Sequence, residues 1–151
     1  MRFRTATFGY KRFVMKTIKN IYWISTGIIF LFEGIMPALT GQTELAKEGI
    51  RHLGYPEYFG TLLVSFKILG TLALILPMVP GRIKEWAYAG LTFSMFSAFI
   101  SHWAVDGFSL LALFPLFVLG ILAISYIYFH KLKDRQVKAE EYNIVEEKFA
   151  G

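Results

Sequence analysis

Apolar residues along this chain gather into four long runs, each near the roughly 20 residues that a helix needs to cross the hydrocarbon layer of a bilayer. The runs cover about Ile21–Leu39, Tyr58–Met78, Lys84–Trp103 and Phe108–Phe129. Pro37 sits near the end of the first, and Pro77 and Pro80 close the second. The connection at 106–109 is short, which makes the third and fourth runs antiparallel neighbours. Helices satisfy their own backbone polar groups where no water is present, so the pattern predicts an all-α fold. The expected architecture is a four-transmembrane-helix antiparallel bundle over residues 21–130. A basic segment (1–20) precedes it and a charged tail (131–151) follows.

Between the first two runs the polar pattern changes and carries a helix signature of its own. Thr43 can cap an N-terminus, Glu44 stands in the first turn, Arg51 and His52 stand in the last, and Gly54 follows as a stop. Leu45, Gly49, Ile50 and Leu53 would form one apolar side, which suits a short amphipathic helix at the membrane interface. It is either an ordinary connector or a lid over a pocket. Gly54-Tyr55-Pro56 then turns the chain back into the second run. The tail from Lys131 onward mixes both charges without a long apolar stripe, which predicts a frayed helix or disorder.

Composition agrees with a membrane protein: 55% of residues are hydrophobic, 15 are Phe and only 18% are charged. The absence of cysteine excludes disulfides, dithiol redox chemistry, iron–sulfur ligation and thiolate zinc sites. Basic residues lie mostly at the two ends of the chain, a distribution of membrane topology and not of a nucleic-acid footprint, so no nucleic acid is expected as a partner. Arg2, Arg4, Lys11, Arg12, Lys16 and Lys19 precede the first run. Arg82 and Lys84 fall between the second and third, and Lys131, Lys133, Arg135, Lys138 and Lys148 lie in the tail. On the opposite side stand only Lys47 and Arg51. Thirteen against two predicts a multi-pass protein of the cell (inner) membrane with both termini cytoplasmic. The first run is too long for a secretory signal, carries Glu33, and is followed by no small-residue cleavage site. Met15-Lys16-Thr17 reads as an alternative start to Met1.

Two charges interrupt the runs: Glu33 in the first and Lys67 in the second. A charge at the centre of a bilayer costs about 2.5–3.5 kcal/mol even on an insertion scale. Counting along antiparallel helices at about 1.5 Å per residue brings the two within about a turn of each other, so they are expected to pair. The pair either fixes helix register or marks a ligand or proton-linked site; alternatively, Lys67 snorkels along its own stem. Helical spacing places Thr26, Glu33 and Pro37 on one face of the first helix, and Gly60, Lys67, Gly70 and Thr71 on one face of the second. Gly90, Ser94, Ser97 and Ser101 share a face of the third, beside His102. The fourth run carries few polar residues and reads as a packing element. His102, beside Trp103, is either a headgroup-level anchor or part of the same polar site. His52 and His102 match no ligand spacing, so neither metal nor haem is expected. No nucleotide-binding or serine-hydrolase motif is present.

Several strings together resemble the DoxX-like family of small bacterial membrane proteins. They are Tyr22-Trp23-Ile24-Ser25-Thr26-Gly27, His52-Leu53-Gly54-Tyr55-Pro56-Glu57-Tyr58-Phe59, Lys67-Ile68-Leu69-Gly70, Lys84-Glu85-Trp86-Ala87-Tyr88-Ala89-Gly90 and Ser101-His102. The resemblance covers roughly Met15 to His130. It implies a four-helix integral membrane protein and a link to quinone-coupled oxidation, since members of the wider DoxX group are associated with thiosulfate:quinone oxidoreductase. It carries no catalytic residues across.

The expected function is therefore an accessory membrane subunit that binds a quinone or similar small amphiphile, with no covalent cofactor. Glu33, Lys67, His102, Tyr55, Tyr58 and Ser101 are the candidate ligand-binding residues. Lys67 or His102 would donate to a quinone carbonyl, Glu33 would relay the proton, and tyrosines would flank the ring. An oxidoreductase partner protein is expected beside the lipid bilayer, and a homo-oligomer is compatible with the chain. The alternatives are a small-solute or proton-coupled transporter, against which stands the lack of a visible inverted repeat, and a structural or assembly protein.

Overall fold

The structure, a computed structural model, describes residues 3–150 and the side chains of residues 13–141, 144, 145, 148 and 149. Among the basic N-terminal residues, Arg2 and the side chains of Arg4, Lys11 and Arg12 lie outside the described residues. The described chain is helical with no strand. Its elements are α1 (Phe3–Ile29), a π-helical stretch (Phe30–Ile35), α2 (Met36–Thr40), α3 (Glu44–His52), α4 (Glu57–Ile75), α5 (Gly81–Asp106) and α6 (Leu110–Ala150).

Two compact units share these helices. One is made by the chain through Ile24 together with the chain from Ile124 onward, and the other by Ser25–Ala123. Among the described residues, three helical stretches, Phe13–Thr40, Glu57–Ile75 and Leu110–Glu141, are long and apolar enough to cross a membrane. The third of the four expected spans lies in α5, whose 26 residues reach about 39 Å. Length is therefore sufficient, but Lys84, Glu85, three serines, His102 and Asp106 dilute its apolar content below that of the others.

In the second unit, α4 packs against the π-helical stretch on one side and α5 on another, while α3 and α2 also rest on it. The buried face of α5 is Lys84, Tyr88, Leu91 and Met95, spaced by four, three and four. This turns the expected small-residue seam partly outward: Gly90 and Ser97 are exposed, and Ser94 and Ser101 are half-buried. On α6, Ala112, Val118, Leu122 and Ser125 are buried, consistent with a packing role.

Local chemistry explains the element ends. Thr43 caps α3 by accepting from the Ala46 N–H at 3.4 Å. At the other end, Gly54 adopts φ +83°, the left-handed conformation that glycine enters without strain. Its N–H donates to Arg51 O and that of Tyr55 to Ile50 O, which together satisfy the last carbonyls of α3 in a Schellman motif. Helix α4 stops at Ile75 because Leu76 precedes Pro77 and is extended, at φ −74° and ψ 121°. Lys84 then reaches back and donates to Leu74 O at 2.8 Å, ending α4 with a buried ammonium. Its place in the sequence marked it as a loop charge at the edge of the third run and gave no sign of this bond.

The tail, expected as a frayed helix or disorder, continues α6 in one helix of 41 residues. Its Lys, Arg, Gln, Ala and Glu residues are all good helix formers, so charge alone did not break the helix.

Candidate functional site

The first helix does not pass through Glu33 as regular α-helix. A proline in a helix removes one donor and crowds the carbonyl four residues back, which for Pro37 is that of Glu33. Ahead of it the chain widens into π turns over Phe30–Ile35, and the Met36 N–H donates to Leu31 O, five residues back. Pro37 then stands in the first turn of α2, where its missing N–H is not needed. The widened stretch carries Glu33 and Gly34, both buried. Single π turns inside α-helices recur at functional sites.

Lys67 of α4 meets this stretch. Its Nζ lies 2.8 Å from Glu33 Oε2, with side-chain exposures of 17% and 8%. The contact is an ion pair by distance, but its angles are not those of a hydrogen bond, and Oε2 receives no donated proton from any described residue. Close approach of the two backbones depends on Gly34, where a Cβ would fall 2.5 Å from Thr71 Oγ1. Thr71 is itself fully buried and donates to Lys67 O at 2.8 Å.

Lys67 also lines a groove of about 670 Å³ between α4 and α5. Apart from Ser94 and Ser97 its other walls are apolar, among them Phe66, Leu69, Ile83, Trp86 and Phe93, all exposed on the helix surfaces. Ser94 lines it as well, and its Oγ is buried without a hydrogen-bond partner among the described residues. The groove therefore combines one cation, one unsatisfied hydroxyl and a long apolar flank.

A second polar cluster joins α3 and the turn after it to the C-terminal end of α5. Asp106 receives His52 Nε2 on Oδ1 at 2.5 Å and His102 Nδ1 on Oδ2 at 2.9 Å. An ionised carboxylate only accepts, which fixes those two nitrogens as the N–H atoms. Tyr55 adds a second tie, its hydroxyl 2.8 Å from Ser101 Oγ and its ring stacked on Phe59 at 4.6 Å. Arg51 pairs with Glu57 at 2.8 Å, and Ile50 packs on Gly60. Helix α3 is thus latched at its end, over a cleft of about 670 Å³ lined by Leu45, His52, His102 and Asp106.

A model of the DoxX-like family matches residues 23–125, which include the π-helical stretch, both charges of the buried pair and the latch. The chain belongs to the DoxX-like family. No curated protein and no solved structure matches it.

The DoxX-like fold separates the six candidate residues into two levels. Glu33 and Lys67 form the buried pair. Tyr55, Ser101 and His102 belong to the latch at the start of α4, and Lys67 lies ten residues further on, about 15 Å along the helix. Tyr58 is 73% exposed in the first turn of α4 and makes no side-chain hydrogen bond or ring contact among the described residues. Sequence reasoning missed Asp106, which it left in the 106–109 connection. Its signal was the spacing of four from His102, one helical turn. Ser94 was read only as part of a small-residue seam. No group of three or more metal-ligating side chains suited to an ion occurs among the described residues.

The latch has a pH dependence of calculable sign. The bond from His102, and then that from His52, holds the Asp106 carboxyl below the ordinary aspartate value of 3.8. A carboxylate depressed in the folded state contributes stability that is complete above its unfolded value and is lost as pH falls through the folded one. The Asp106 contribution is therefore present from about pH 4 upward and disappears in the acid range beneath. Asp106→Asn is expected to remove that acid limb from an unfolding-midpoint profile between pH 2 and 5; an unchanged limb would show that other carboxylates carry it.

Proposed function

We propose that this DoxX-like protein is an accessory subunit of a membrane oxidoreductase that binds a quinone or a similar small amphiphile in the groove between α4 and α5. The observation that carries the reading is the groove's donor set. The Lys67 ammonium and the unpartnered Ser94 hydroxyl stand in one apolar wall, the chemistry that a carbonyl on an isoprenoid-tailed ring requires. Lys67 orients the head group, Ser94 donates to it, and Glu33 serves as the proton acceptor behind Lys67. The exposed flank of Phe66, Trp86 and Phe93 lets a tail enter from the lipid.

In this reading α5 also spans the membrane, which makes four spans, and both termini lie in the cytoplasm of a cell whose inner membrane holds the protein. The excess of basic residues on that side, thirteen against two, supports the orientation. With no cysteine in the chain, electron transfer is carried by a bound cofactor or by a partner protein. A second reading is supported by the pair itself. At 2.8 Å and largely buried, it is suited to a purely structural role in a helix-assembly protein.

Trp86 in the groove wall provides the test. Adding a short-tailed ubiquinone or menaquinone to the purified protein is expected to quench tryptophan fluorescence saturably. Glu33→Gln combined with Lys67→Met, a charge-neutral change, is expected to remove saturation while helix content is kept. Linear quenching that is the same in both proteins would reflect partition into detergent and leave the structural reading in place.

A further inference from the structure

We propose that the other compact unit holds a binding site for one anionic phospholipid, in a groove between the middle of α1 and the middle of α6. The groove has a volume of about 570 Å³ and its walls differ in character. Lys131, Arg135 and Lys138 follow one another at spacings of four and three, which puts three cations on one face of α6. Phe13, Ile18 and Tyr128 supply the apolar side. Phe13 is 70% exposed, so the apolar wall is open.

The cations are available. Neither Arg135 nor Lys138 has an ion pair or hydrogen bond to another described residue, and Lys131 sits over the Tyr128 ring at 4.7 Å. An ammonium on an aromatic face is still free to donate to a phosphate oxygen. Only Asp134 opposes them within the groove.

Depth selects the ligand. Tyr22 and Trp23 of α1, and Tyr126 and Tyr128 of α6, lie where the apolar stretch of each helix meets its basic stretch. Aromatic rings of this kind sit at headgroup level in a bilayer. The groove therefore begins at this boundary with Tyr128 and continues along the basic stretch, where Phe13 and the three cations lie. A soluble anion would be served by the cations alone; an anionic phospholipid uses both walls. Basic pockets between membrane helices bind such headgroups by charge complementarity.

The experiment uses the full chain in a zwitterionic detergent, with lipid adducts counted by native mass spectrometry. Dioleoyl phosphatidylglycerol is expected to bind saturably, and dioleoyl phosphatidylcholine and inorganic phosphate are not. Replacing Lys131, Arg135 and Lys138 together by glutamine is expected to weaken phosphatidylglycerol binding on the order of a hundredfold, at roughly a factor of five per basic residue. Asp134→Asn is expected to strengthen it, an effect that a damaged fold would not produce. Equal binding of the two lipids, unchanged binding by the triple variant, or binding of inorganic phosphate as tight as that of the lipid would each overturn the proposal. Because these residues lie in the unit that does not contain Lys67, failure here is separable from failure of quinone binding.

Discussion

Lys67→Met alone is expected to destabilise the protein by about 3–5 kcal/mol, and addition of Glu33→Gln is expected to recover most of that loss. The reason is the asymmetry between removing one charge and removing both. With Lys67 gone, Glu33 keeps 8% side-chain exposure and loses its only cation among the described residues. A buried carboxylate without a counter-charge bears the full desolvation penalty. The double variant replaces both ions by groups of similar shape, which for buried pairs is commonly neutral or stabilising. Glu33→Gln alone should lie between the two. Lys67 lines the groove, and its flexible stem can carry the ammonium toward lipid headgroups or water. Equilibrium unfolding in mixed micelles with increasing dodecyl sulfate gives all four corners of the cycle. Equal losses for Lys67→Met and the double variant would mean that the two charges are not coupled, and that Lys67 acts through packing alone.

The part of this pair that sequence could supply was its existence. Opposite charges interrupting consecutive apolar runs have few alternatives to meeting, and counting residues from the span ends put them at similar depth. What counting could not supply was the π-helical stretch. Apart from Glu33, Phe30–Ile35 has the composition of any apolar helix, and the widening arises from Pro37 one turn later together with the packing of Gly34 on Thr71. The α3 helix was legible to its first and last residues, because Thr43, Glu44, Arg51, His52 and Gly54 each act locally. The latch was half legible. His102 stood out, but its partner Asp106 fell just beyond an assumed span end, and α5 in fact runs on to Asp106. Lys84 shows the same difficulty from the other side: a residue counted for membrane orientation proved to be 5% exposed and bonded to the end of α4. Long-range partners of this kind depend on where two helix ends stop, and end positions are what periodicity defines least.

Gly34→Ala is expected to destabilise the protein by about 1–3 kcal/mol, the usual range for inserting a methyl group into a packed contact. The added carbon would stand 2.5 Å from Thr71 Oγ1, 3.2 Å from Phe30 Cδ2 and 3.3 Å from Thr71 Cβ. Thr71 cannot easily turn away. It is fully buried, and its hydroxyl donates to Lys67 O at 2.8 Å and Ile68 O at 3.1 Å on its own helix. The backbones must separate instead, and the residue carried along with Gly34 is Glu33. The same substitution should therefore lengthen the ion pair as well as loosen the contact. Two second-site changes distinguish steric from polar causes. Thr71→Ala removes the atom at 2.5 Å and leaves contacts a few tenths of an ångström tight, so Gly34→Ala should cost less in that background, by a coupling of about 1 kcal/mol. Thr71→Ser keeps the hydroxyl and should give no relief. If instead the Gly34 and Thr71 changes add, the close approach of the π-helical stretch to α4 is not what holds Glu33 against Lys67. The Glu33–Lys67 contact would then have to rest on the widened turn ahead of Pro37 alone.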